Sequence, residues 1–265
     1  MLNLSEIKRE VEPILVKAGD LLLSYFKNGV SYKNKADNSL VTEADIQVEK
    51  FLVEHLSKVL PEASFFTEES GSIGPKASIS WVIDPLDGTT NFAHAIPYFC
   101  ISVALTVNNE PVLGFVYHPI LNQMFHAIAG QGAFLNGSSI QVSSTNKIDQ
   151  TFLAVGIPYE KSDIYLQRFF KDMSEIMRKT FAFRHFGAVA LDLAYVASGK
   201  LDAIFFEDMF WWDFAAGILL IKEAGGIISD FSGNSIHMDS KSLVGANKSI
   251  HSELMAILGE KIRNK

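Results

Sequence analysis

A single cysteine, Cys100, stands among 265 residues, so no intramolecular disulfide can form, and no Cys/His cluster of the kind that holds Zn²⁺ is present. Cys100 lies in the apolar run Phe99 to Val107, where it reads as a small buried hydrophobe and not as a nucleophile. The chain also lacks a Gly-x-Ser-x-Gly elbow and a P-loop glycine run with its lysine. Those absences remove the usual covalent hydrolases and the P-loop NTPases. There is no block of Lys or Arg, and a net charge of −7 with pI ≈ 5.5 argues against nucleic acid or an anionic membrane as the main partner, leaving only weak RNA contact open. No apolar run approaches the ~18 residues that span a bilayer, and Met1 to Glu10 is amphipathic and charged, so the expectation is a cytoplasmic protein.

What is present is a hydrophobic content of 48%, ample for a buried core. From Ser5, read as an N-cap, Ile7, Val11, Ile14, Leu15, Ala18, Leu21, Leu22 and Tyr25 recur at helical spacing until Asn28-Gly29. Thr42 with Asp45 forms a capping-box pattern that opens a second helix with Val48, Phe51, Leu52, Leu56 and Val59 on one face, closed by Pro61. Ile101 to Val107, Val112 to Tyr117 and Met124 to Ile128 read as antiparallel strands, with a hairpin signal at Asn108-Asn109. Beyond residue 150 strands and helices alternate: a strand at Phe152, a helix near Tyr165 to Arg178, a strand near Phe183 and a helix over Ala188 to Ala197. The pattern continues with a strand over Leu201 to Phe206, a helix from Phe214, strands at Ile227 and Leu243 and a closing helix from Ser249. The fold class is α/β (α+β). With no long linker, two tightly packed subdomains, 1–145 and 146–265, are expected to form one unit.

The richest stretch is Trp81-Val82-Ile83-Asp84-Pro85-Leu86-Asp87-Gly88-Thr89-Thr90-Asn91, an apolar run that stops on two carboxylates. The run predicts a buried strand that Pro85 ends, and Gly88, Thr89 and Thr90 can open a helix whose free N–H groups face an anion. Asp84, Asp87 and the Leu86 carbonyl offer hard oxygens beside that phosphate cradle, which suits a divalent cation bridging protein and phosphate. Glu68 and Asp213 also fall at predicted element ends. Four converging carboxylates would repel without cations, and their hard oxygens favour Mg²⁺, with Mn²⁺ as a substitute. Singly, each has a plainer role: Asp213 and Asp45 as helix caps, Glu68 in an acidic loop.

These residues resemble the inositol monophosphatase family, whose signature is an apolar strand followed by Asp-Pro-(Ile/Leu)-Asp-Gly-Thr-Thr-Asn. Leu40-Val41-Thr42-Glu43-Ala44-Asp45, Phe66-Thr67-Glu68-Glu69-Ser70 and Trp212-Asp213-Phe214-Ala215-Ala216-Gly217 followed by Glu223-Ala224-Gly225-Gly226 match in the same order, so the likeness spans nearly the whole chain. The resemblance implies a layered αβαβα sandwich, a lithium-sensitive phosphatase, two or three Mg²⁺ ions and a homodimer. It assigns Glu68, Asp84 and the Leu86 carbonyl to a first metal and Asp84, Asp87 and Asp213 to a second, with Glu68 supporting a third. It gives Thr89 and Asp45 the orienting and deprotonation of the attacking water, and Gly88, Thr89 and Thr90 the phosphate. Lys33 or Lys35 assists, Lys35 being the closer match. Gly187 and Ala188 resemble the loop that meets sugar or inositol hydroxyls, and Glu207, or its neighbour Asp208, the acid that binds them. Arg184 and His185 stay outside the site.

The implied substrate is a small phosphate monoester, inositol monophosphate first. Fructose 1,6-bisphosphate, histidinol phosphate and bisphosphate nucleotides are handled by related scaffolds, and Thr90-Asn91 favours the inositol branch. A non-catalytic interaction protein that keeps the fold is the rival from another class, and Asp45 with Thr89 speaks against it.

Overall fold

The computed structural model describes residues 2–34, 40–75, 77–157 and 162–262. Helix α1 (Leu4–Asn28) begins two residues earlier than the sequence predicts: Asn3, not Ser5, is the N-cap, its Oδ1 accepting the Glu6 N–H at 3.2 Å. A short ribbon, β1 (Tyr32–Asn34) and β2 (Leu40–Thr42), leads into α2 (Glu43–Val59). The expected capping box at Thr42 and Asp45 is present.

Strands β3 (Ser64–Thr67), β4 (Gly71–Ile73), β5 (Ile79–Asp87), β6 (Cys100–Val107), β7 (Glu110–His118), β8 (Gln123–Ile128), β9 (Gly132–Leu135) and β10 (Ser138–Ile140) make one eight-stranded sheet, with α3 (Thr89–Ala93) between β5 and β6. Its pairing is antiparallel except for β3 beside β5. Asn108 and Asn109 both take positive φ, 52° and 65°, as the hairpin signal requires. The rest of the chain supplies β11 (Phe152–Val155), α4 (Asp163–Lys179), β12 (Ala182–Arg184), α5 (Val189–Ala197), β13 (Ala203–Glu207), α6 (Trp211–Glu223), β14 (Ile227–Ser229), β15 (Ser242–Ala246) and α7 (Lys248–Ile262). Its five strands form a second sheet in the order β12-β11-β13-β15-β14.

Three cores separate five layers. Val11, Leu15, Val48 and Leu52 of α1 and α2 pack on Trp81, Ile83 and Phe115, one face of the large sheet. The opposite face, through Val82, Ala104 and Val116, meets Leu193 of α5 and Phe214 and Ile218 of α6, which also cover Ile204 and Leu243 of the small sheet. Phe169 and Ile176 of α4 and Leu254 of α7 close the outer face of that sheet on Phe205 and Val244. The order is αβαβα. Alternation along each strand sends successive side chains to opposite faces, which is why β5 feeds two different cores. Among the described residues no helix is long and apolar enough to cross a membrane.

Candidate active site

Pro85 does not end its strand. β5 runs on to Asp87, and Pro85 sits in a bulge: Asp84 pairs with Ser102 while Asp87 pairs with Cys100, so three steps on β5 oppose two on β6. In a regular strand residues three apart face opposite sides; the extra residue turns Asp84 and Asp87 to the same one, the side of Val82 and of the α5–α6 layer. Glu68 arrives from β3, where parallel pairing of Thr67 with Ile83 and a Glu68 N–H bond to the Ile83 carbonyl set it beside Asp84. Asp213 comes from the first turn of α6, its Oδ2 accepting the Phe210 N–H at 2.7 Å. Glu68, Asp84, Leu86, Asp87, Gly88, Thr89, Thr90 and Asp213 line one cleft of about 550 Å³.

Asp84 is 2% exposed. Burial, then the neighbouring Glu68, Asp87 and Asp213, push its carboxyl well above the usual range, and it shares a hydrogen bond with Glu68. Asp87 is pushed up to about 7, mainly by burial, although the Val189, Ala190 and Leu191 N–H groups at the start of α5 and the Cys100 thiol all stabilise its charge. Among the described residues no three carboxylate, imidazole or thiolate groups stand in a ready-made coordination cage; the carboxylates act on Asp84 pairwise. Their chemistry nevertheless fits a hard divalent cation. Buried like-charged oxygens around one cleft are costly unless protons or cations offset them.

Thr89 links Asp45 to the end of β5. Its hydroxyl lies 3.0 Å from both Asp45 Oδ1 and the Leu86 carbonyl oxygen. Asp45, fully buried, also accepts from the Thr42 N–H and hydroxyl; burial outweighs those bonds and raises it to about 6. Gly88 adopts φ +95°, and a Cβ there would sit 3.0 Å from the Tyr98 carbonyl and 3.2 Å from the Ala188 Cβ, so the turn into α3 needs glycine. The first-turn N–H groups that follow have no acceptor within their own helix, which makes them available to an anion.

Other expected residues land in different places. Gly187 lines the cleft. Ala188 is 1% exposed and packs beneath Gly88 instead. Glu207 turns towards α4, its carboxylate receiving the Tyr165 hydroxyl at 2.8 Å and Arg168 at 2.7 Å; Asp208 is the acid on the cleft wall. His185, left out above, is on that wall too, with Nδ1 3.0 Å from the Val155 carbonyl. Lys35 lies outside the described residues, and Lys33 is on exposed β1.

Sequence reasoning passed over Glu49. It is 3% exposed on α2, accepts the Glu69 N–H at 2.8 Å and takes the Ser70 hydroxyl, so it anchors the loop that carries Glu68. An acid between Val48 and Leu52 on an apolar face was the available signal. Asp192 was missed as well: fully buried on α5, with its carboxyl pushed well above the usual range by burial, it accepts the Tyr98 hydroxyl at 2.6 Å. Glu49→Ala should loosen the Glu68 loop and raise the Mg²⁺ concentration for half-maximal stabilisation several-fold, read by melting titrations. An unchanged titration would show that the loop holds itself.

The inositol monophosphatase family model matches residues 3–263. The chain belongs to the inositol monophosphatase family. It is 37% identical over 249 residues to Nus factor SuhB of Escherichia coli, covering 93% of each chain, and 35% identical over 260 residues to the inositol monophosphatase of Dictyostelium discoideum, covering 97% of this chain and 93% of that one. Among solved structures, extragenic suppressor protein suhB from Bartonella henselae superposes with a TM-score of 0.90 at 33% identity, covering 96% of this chain and 98% of that one. The IMPase of Thermotoga maritima gives 0.86 at 33%, with 95% and 96% covered. Membership agrees with the five layers above and with the order of the matched motifs.

Proposed function

We propose that this chain is a Mg²⁺-dependent phosphatase that hydrolyses a small phosphate monoester by attack of water, with inositol monophosphate the first substrate to test. The observation that carries it is the convergence of Glu68, Asp84, Asp87 and Asp213 on one cleft beside the Thr89–Asp45 pair. Glu68, Asp84 and the Leu86 carbonyl would hold one ion, and Asp84, Asp87 and Asp213 a second, with Mn²⁺ able to replace Mg²⁺ and Glu68 supporting a third. Bound there, the ions supply Lewis acidity, easing deprotonation of water and offsetting charge on phosphate and leaving oxygen.

The chain's own part is orientation and proton transfer. First-turn N–H groups at Gly88, Thr89 and Thr90 hold the phosphate. Thr89 Oγ1 takes a proton from the attacking water as it passes its own to Asp45 Oδ1, whose carboxyl, raised by burial to about 6, suits a base at neutral pH. Burial of the carboxylates within the cleft floor keeps their charge effective.

A homodimer is part of the proposal. Phe181 and Phe183, on and beside the edge strand β12, are 74% and 38% exposed, an apolar edge that a second copy would cover. Sedimentation equilibrium should return twice the chain mass, and Phe181→Asp should lower it. The name Nus factor on the Escherichia coli relative gives a second reading, a role as a factor apart from hydrolysis. The deciding experiment is phosphate release with Mg²⁺ from inositol 1-phosphate, fructose 1,6-bisphosphate, histidinol phosphate and adenosine 3′,5′-bisphosphate. Release from none of them across a wide Mg²⁺ range would overturn the phosphatase reading and leave the second.

A further inference from the structure

We propose that Phe210 is a stacking platform that fits this cleft to phosphate monoesters whose leaving alcohol carries a flat aromatic ring, as a nucleoside does; the inference rests on the phosphatase reading above. Phe210 lies on the cleft wall three residues before Asp213 and is 39% exposed. Its orientation is fixed from behind. The ring stacks on Trp212 with centroids 4.9 Å apart and planes 13° from parallel, and Trp212 in turn rests against Phe66 at 5.3 Å. A braced aromatic loses little freedom when a second ring lies on it.

Part of the surroundings suits a flat ring. Ile157, Phe186 and Phe206 line the same cleft as Phe210, whereas Glu207, the acid assigned to sugar hydroxyls by resemblance, is engaged by Tyr165 and Arg168. Asp208 and His185 on the same wall can pair with the hydroxyls of a ribose, while the apolar side chains offer contact area to a base. The cleft volume, about 550 Å³, falls in the ~300–1,000 Å³ range of pockets that enclose drug-sized ligands. Lys241 Nζ lies 5.2 Å from the Phe210 centroid on an exposed, flexible side chain that returns to water when a flat ring arrives.

Adenosine 5′-monophosphate carries a base where ribose 5-phosphate has its anomeric hydroxyl, so their kcat/KM ratio, compared between wild type and Phe210 variants, reports on the platform. The wild-type protein with Mg²⁺ should favour the nucleotide by about 5-fold or more, the usual worth of one aromatic stack on a base. Phe210→Ala should collapse that ratio, chiefly through KM for the nucleotide. Phe210→Leu, which keeps apolar bulk and guards against a folding defect, should collapse it too, while Phe210→Tyr should retain it. A wild-type ratio near one, or a ratio that Phe210→Ala and Phe210→Leu leave unchanged, would overturn the proposal while leaving the phosphatase reading intact. If neither ester is hydrolysed, nor any other ester in the screen above, the phosphatase reading fails, and tryptophan fluorescence decides the platform. Quenching by the nucleotide but not by ribose 5-phosphate, lost in Phe210→Leu, supports it; equal responses overturn it.

Discussion

Asp213→Asn is expected to fold normally and to lose about 10²-fold or more of kcat, with a smaller effect on substrate affinity. The substitution is informative because Asp213 has two roles in this structure. Its Oδ2 accepts the Phe210 N–H at the start of α6, and its charge is one of those that push Asp84 upward. An asparagine oxygen can keep the first role, so helix stability should survive. The second is lost: one anionic ligand goes, the ion that offsets charge on the leaving oxygen is held less tightly, and the Mg²⁺ concentration for half-maximal rate rises. Without Mg²⁺ the variant should melt no lower than the parent, since a like charge has been removed from beside Asp84. Wild-type turnover with unaltered Mg²⁺ dependence would sink the ligand assignment and leave Asp213 as a cap.

Stabilisation by Mg²⁺ should itself depend steeply on pH. Burial raises Asp87 from 3.8 to about 7 and Asp45 from 3.8 to about 6. A carboxyl whose folded pKa is raised contributes stability that is complete below its unfolded value and is lost as pH rises through its folded one. For the metal-free protein that window runs from roughly pH 4 to pH 7, and the loss is on the order of a few kcal/mol. His118 and His126, both lowered by burial to about 4, contribute in the opposite sense, with stability present above 6.5 and lost as pH falls through 4. Those histidines weigh equally with and without metal, so the difference in Tm between Mg²⁺ and chelator reports the carboxylates. It should be small at pH 5 and large at pH 8, where Mg²⁺ at a hundred times its Kd would add about 2.7 kcal/mol. A difference that stays flat from pH 5 to pH 8 would mean that these groups do not bind the ion.

Long periodic elements were legible from residues alone. The buried stripes of α1 and α2, the capping box at Thr42 and the β6–β7 hairpin fall where apolar spacing and turn residues put them. Strands of three or four residues, such as β1, β4 and β10, are too short to display a period, and β3 joins its sheet through a parallel partner that local pattern does not encode. Pro85 was read as a stop because proline removes a ladder donor, and the bulge that accommodates it depends on β6. The cleft illustrates a second limit. The family resemblance grouped Asp84, Asp87 and Asp213, but which of Glu207 and Asp208 faces the cleft depends on the direction of a side chain at the end of β13, set by Tyr165 and Arg168 on another element. Glu49 and Asp192 act through buried partners distant in sequence, and no motif announces such pairs.

Asp87 has a bearing on how the protein is made. Its oxygens accept N–H groups at the head of α5, about a hundred residues further along, and Asp213 follows later still. On the ribosome, the segments carrying Glu68, Asp84 and Asp87 emerge first and can begin to pair, but their carboxylates lack both the helix that receives Asp87 and the neighbouring Asp213. A nascent chain halted before α5 should therefore hold its acidic cluster without these partners. The complete acidic cleft would appear late and abruptly during synthesis, once α6 has docked.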